Sequence, residues 1–66
     1  MTRGLTEREL VILRTWWEVR GSSKACADLL GIKVQSLRNQ LYSMRRLHGA
    51  ATNLDLALRF RDEVIP

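Results

Sequence analysis

Apolar residues recur along this chain at steps of three and four, and the pattern is interrupted at Gly21-Ser22-Ser23, at Gly31 and from Gly49 to Asn53. No segment alternates apolar and polar residues in period two, and none is dominated by β-branched or aromatic residues. Together these features predict an all-α fold of four helices, at about residues 6–19, 23–30, 34–47 and 53–64. There is no internal repeat, low-complexity tract or linker.

Start and stop signals support those boundaries. In Thr6-Glu7-Arg8-Glu9 the hydroxyl can cap the Glu9 amide while the Glu9 carboxylate returns to the Thr6 amide, with Leu5 and Leu10 as the flanking staple. Ser22 or Ser23 can cap the second helix, and Gly31 suits the left-handed residue that closes it. Thr52-Asn53-Leu54-Asp55 opens the last helix with a Thr and, three residues on, an acid that suits the helix dipole. Lys33 stands where the third helix would have its cap, which forfeits about 1 kcal/mol of capping.

The same periodicity assigns the core. Leu10, Leu13 and Trp17 form a stripe that Ile12 and Trp16 widen, and two adjacent tryptophans cannot point the same way, so one is expected to be only partly buried. Ala25 and Ala27 are small enough for another helix to cross close by. Val34, Leu37, Leu41 and Met44 line the third helix. The last helix has two apolar sides, Leu56, Ala57, Phe60 and Val64 on one and Leu54, Leu58 and Ile65 on the other. The second side has something further to bury and is expected to meet a partner, either another copy of the chain through helix 4 or a different protein.

Composition then narrows the function. A chain of 66 residues with 45% apolar content is one domain over residues 1–66, too small for a large enclosed active site. The net charge of +4 and a pI near 10.2 favour an anionic partner. No apolar run spans a bilayer and no apolar signal segment follows Met1-Thr2-Arg3-Gly4, so a cytoplasmic protein without a membrane partner is expected. Cys26 is the only cysteine, which excludes an internal disulfide or thiolate cage and reads as a small buried residue. His48, the only histidine, has neither a second ligand nor a placed nucleophile and reads as a helix-end residue. No enzyme activity, metal or cofactor is expected.

Charge is distributed unevenly along the chain. Residues 32–50 carry four basic groups and no acid, whereas residues 1–31 carry five basic and four acidic groups and residues 51–66 two and three. At 100° per residue, Gln35, Arg38, Asn39, Tyr42 and Arg46 cluster about 120° from the apolar stripe of the third helix, with Arg45 on its flank. Arg can donate twice to guanine, Asn and Gln can pair with the adenine edge, and Tyr offers a hydroxyl and an apolar ring. Lys33, Arg45 and Arg46 are better suited to phosphates.

Leu5-Thr6-Glu7-Arg8-Glu9, then Ser22-Ser23-Lys24-Ala25-Cys26-Ala27-Asp28-Leu29-Leu30-Gly31-Ile32, then Ser36-Leu37-Arg38 and Leu41, resemble the LuxR/GerE-type helix-turn-helix. The resemblance covers residues 5 to about 60. It implies a four-helix domain whose third helix enters the major groove and whose fourth supports a two-fold dimer. Carried over, it makes Arg38, Asn39 and Tyr42 base readers and sets Lys24, Ser36 and Gln40 near phosphates. The chain departs from the family's pattern in Trp16-Trp17, in Lys33 for the usual hydroxyl cap, and in a shifted Leu47-His48-Gly49-Ala50.

Two functions follow as expectations. The first is a sequence-specific DNA-binding transcriptional regulator, dimeric on a two-fold double-stranded operator. The second is a stand-alone interaction protein that pairs with a full-length regulator through helix 4 or through Trp16 and Trp17. A sigma-factor-like module shares the Leu5-Thr6-x-Arg8-Glu9 opening but fits the later spacing less well.

Overall fold

The computed structural model describes residues 4–65, and over that span the chain is helical without strands. The readings made on Met1, Thr2, Arg3 and Pro66 lie outside the described residues. Three helices fall where the periodicity puts them: α1 at Glu7–Glu18, α2 at Ser23–Leu30 and α3 at Val34–His48. The expected fourth helix is two pieces, α4 at Asn53–Arg59 and α5 at Arg61–Val64, with a break at Phe60 (φ −116, ψ 34). None of the helices among the described residues is long and apolar enough to cross a membrane.

Local chemistry accounts for the ends. The Thr6 amide donates to Glu9 Oε1 at 2.8 Å while the Glu9 amide donates to Thr6 Oγ1 at 3.1 Å, a complete capping box. Ser22, rather than Ser23, caps α2 by accepting from the Ala25 amide. Thr52 accepts from the Asp55 amide, but Asp55 returns to the Ala51 amide, one residue before the cap. Lys33 makes no side-chain cap at α3.

Both α2 and α3 end on a left-handed glycine, Gly31 (φ 70) and Gly49 (φ 71), after which Ile32 and Ala50 donate back to the carbonyls of Ala27 and Arg45. The end of α1 uses the same hydrogen-bond pattern with Arg20 in the glycine's place, at φ 56, so that the Gly21 amide donates to the Trp16 carbonyl at 2.9 Å. A left-handed residue with a Cβ costs about 1 kcal/mol. Gly21 itself lies against the Trp16 indole, where a Cβ would stand 3.2 Å from Cζ2.

The core is one cluster drawn from every helix: Ile12 and Leu13, Cys26 and Ala27, Leu37, Leu41 and Met44, Leu56 and Ala57, and Val64. Helix α2 packs on α1 and α3, α4 packs on α3, and α5 closes back onto α1. The break at Phe60 serves that closure, because it redirects Val64 into the core beside α1, where Arg14 Nε donates to the Glu63 carbonyl at 2.8 Å. Cys26 is buried, its thiol 3.9 Å from the Ile12 carbonyl, and burial pushes its pKa up.

Two residues differ from expectation. His48 is not merely a helix end: its side chain is 3% exposed, edge-on to the Phe60 ring at 4.9 Å, with Nε2 3.9 Å from Glu9 Oε2. That separation is too long for a hydrogen bond, and Nε2 has no such partner among the described residues. Ile65 lies beyond α5 in extended backbone, half-buried against the core, so it does not share an exposed face with Leu54 and Leu58.

Leu37→Ala removes a fully buried side chain and should lower the unfolding free energy by about 2–5 kcal/mol in urea titrations, whereas Leu29→Ala, at a position 67% exposed, should change it by less than about 0.5 kcal/mol. The raised pKa leaves less thiolate at Cys26, so at mildly alkaline pH a disulfide reagent should label the native protein only as fast as it unfolds. Labelling should be immediate in denaturant. Rapid labelling of the folded chain would contradict the burial of Cys26.

Candidate nucleic-acid interface

Helix α3 buries Leu37, Leu41 and Met44, and this choice of inner stripe turns Gln35, Ser36, Arg38, Asn39, Tyr42 and Arg46 to solvent. All four candidate base readers, Gln35, Arg38, Asn39 and Tyr42, are therefore exposed on one side of one helix. They are not independent of one another. Gln35 Nε2 donates to Asn39 Oδ1 at 3.1 Å, one helical turn on, which leaves the Gln35 carbonyl as an acceptor and the Asn39 amide protons as donors.

Tyr42, 52% exposed, organises the basic end of the face. The guanidinium carbons of Arg45 and Arg46 lie 5.7 and 5.8 Å from its ring centroid, and Arg46 Nη1 approaches its hydroxyl at 3.5 Å. Each contact is a cation–π attraction of modest size at such an exposed site. The ring holds two like charges near each other without an intervening acid.

The expected phosphate contacts divide. Lys24 near the start of α2, Lys33 before α3, and Ser36 and Arg46 on α3 are exposed. Arg45 is half-buried, and its Nη1 donates to Asn53 Oδ1 in the first turn of α4, so it ties α3 to α4 rather than standing free. Gln40 is half-buried in a shallow depression between α1 and α3 that Arg8, Glu9 and Asn39 also line. It is turned away from the outermost face because it lies one step from Leu41 toward α1.

The depression exposes a residue that the sequence reading did not single out. Arg8, on α1, lines it with Asn39 and Ser43 of α3, and so adds a cation from a second helix beside the polar face. The sequence marks it within the Leu5-Thr6-Glu7-Arg8-Glu9 opening, without a site role, and by an exposed phase on α1 shared with Glu7 and Val11. The outer face of α3 thus combines amides, guanidinium groups, one phenol and flanking cations over a segment free of acid.

Of the apolar side expected to meet a partner, Leu54 and Leu58 are 50% and 51% exposed on α4. Leu54 also lines a groove with Trp16 and Trp17, both half-buried.

Comparison with models of protein families, with characterised proteins and with solved structures finds no match to this chain.

The Arg45 to Asn53 contact is a partly buried hydrogen bond to a charged group, and Asn53→Ala should cost about 1.5–3 kcal/mol of stability. Gln35→Ala, which breaks only an exposed amide pair, should cost less than about 0.5 kcal/mol. Chemical denaturation of the two variants side by side checks the distinction. Equal losses would mean that Arg45 is not the structural tie described above.

Proposed function

We propose that this domain is a sequence-specific DNA-binding transcriptional regulator, with α2 and α3 as a helix-turn-helix, α3 in the major groove, and two copies on a two-fold operator. The observation that carries the reading is the outer face of α3: Gln35, Arg38, Asn39, Tyr42 and Arg46 exposed together on a 15-residue helix, in a segment without an acidic residue. The three-residue connection Gly31–Lys33 between α2 and α3 has the length such a motif uses. A LuxR/GerE-like arrangement is part of the proposal, modified by the split of its last helix.

Roles follow from chemistry and position. Arg38 stands free of any acid on the same face and suits a guanine edge, and the Gln35 and Asn39 pair suits adenine. Tyr42 acts chiefly by setting Arg46, which meets a phosphate. Lys33 and Ser36 at the start of α3, Arg8 beside Asn39 and the exposed Lys24 of α2 are the candidates for further phosphate contacts, and with no side-chain cap at Lys33 the first-turn amides of α3 are open to a phosphate oxygen as well. One such face reads few base pairs, so useful specificity calls for two half-sites about one helical turn apart.

The half-exposed tryptophans favour a second reading, in which the domain pairs with a larger regulator and modulates it. The two readings separate by DNA selection.

Selection of bound sequences from random double-stranded DNA should enrich a two-fold motif, and absence of enrichment would favour the second reading. On the selected site, Arg38→Ala should cost about 1–3 kcal/mol and relax preference at one base position. Arg46→Ala should weaken all sequences alike and reduce the salt dependence by about one phosphate contact. Tyr42→Phe should retain most of the affinity, whereas Tyr42→Ala should resemble Arg46→Ala. An equal loss on every sequence from Arg38→Ala would remove it from the readers.

A further inference from the structure

A groove of about 650 Å³ lies between the C-terminal end of α1 and the start of α4, lined by Trp16, Trp17, Glu18, Arg20, Gly21 and Leu54. Both tryptophans of the chain stand in it, each half-buried. Leu54 forms one wall, and one turn further along α4 Leu58 is equally exposed, so a ridge of leucine runs beside a recess of indole. Exposed aromatic and aliphatic surface in one continuous stretch marks a contact site.

Two observations point to what fills it. Recess and ridge lie side by side on the same molecule, so a two-fold operation can seat each copy's leucines in the other's groove, as an isologous contact requires. The groove is also lined by one acid and one base, Glu18 and Arg20, and neither has an ion-pair partner among the described residues. A two-fold axis close to this edge can bring each against its opposite on the other copy, so the charges of the groove are self-complementary.

We propose that this groove is the seat of a second copy of the chain, with Trp16, Trp17 and Leu54 as the buried centre and reciprocal Glu18 to Arg20 pairs at the edge. No lining residue comes from α3, so the contact leaves the outer face of α3 clear. The proposal deepens the dimeric part of the DNA-binding reading and rests on it only for the arrangement on an operator.

The test is sedimentation velocity of the full chain without DNA across the micromolar to millimolar range, with acrylamide quenching of tryptophan emission on the same samples. The expected result is a monomer–dimer equilibrium in which quenching falls as dimer forms, since all the emission comes from the groove. Glu18→Arg and Arg20→Glu should each weaken the dimer about tenfold, and the double variant should recover most of that loss. Leu54→Glu should weaken it at least as much, with circular dichroism verifying native helicity in every variant. A monomer at all concentrations overturns the proposal, as does a dimer whose tryptophans stay equally quenchable or whose charge reversals fail to rescue each other. Failed DNA selection with an intact dimer sinks the DNA reading alone; DNA binding by a strict monomer sinks this proposal and the two-fold arrangement on the operator, and leaves the DNA contact of α3 standing.

Discussion

What α3 shows to solvent is decided by what holds its other side. Leu37, Leu41 and Met44 are buried within a core that also takes Ile12 and Leu13 from α1, Cys26 and Ala27 from α2 and Leu56 and Ala57 from α4. Side chains on a helix stand at a constant angular step, so burial of these three sets the direction of all the others. A rotation by one residue would drive Arg38 and Tyr42 toward the core and expose leucine. The desolvation of an unpaired guanidinium makes that alternative far costlier than the one adopted. Small residues at Cys26 and Ala27 let α2 approach close enough to enforce the choice.

The second constraint lies where α3 meets α4. Gly49 turns the chain, Arg45 reaches Asn53, and Arg59 Nη1 donates to the His48 carbonyl at 3.4 Å. Beneath them His48 is buried edge-on to Phe60 and within 3.9 Å of the carboxylate that completes the α1 capping box. The start of α1, the end of α3 and the α4 to α5 junction therefore converge on one histidine. With a core of ten buried apolar side chains among the described residues, such convergence supplies order that a larger core would provide by packing alone.

The molecule consequently presents two surfaces of opposite character. One, on α3, is polar and cationic; the other, at the end of α1 and the start of α4, is apolar with balanced charge. They share no residue. A ligand on either leaves the other accessible, so the proposed DNA contact and the proposed contact between copies are compatible with each other.

The helices α1, α2 and α3 were legible in the sequence because their information is local: Thr6 with Glu9, Ser22, Gly31 and Gly49 act within a turn or two of themselves. The exposed chemistry of α3 was legible for the same reason, since the stripe of Val34, Leu37, Leu41 and Met44 defines an outside as soon as it defines an inside. Other features depend on neighbours distant in the chain. The break at Phe60 answers to α1, which Val64 and the Glu63 carbonyl must reach; Arg45 is claimed by Asn53, Gln40 by the depression beside α1, and His48 by Glu9 and Phe60. Periodicity assigns a residue to a side of its own helix. Which element covers that side, and which polar atom is used up in doing so, is settled only by tertiary packing, because burial and pairing are properties of two elements at once.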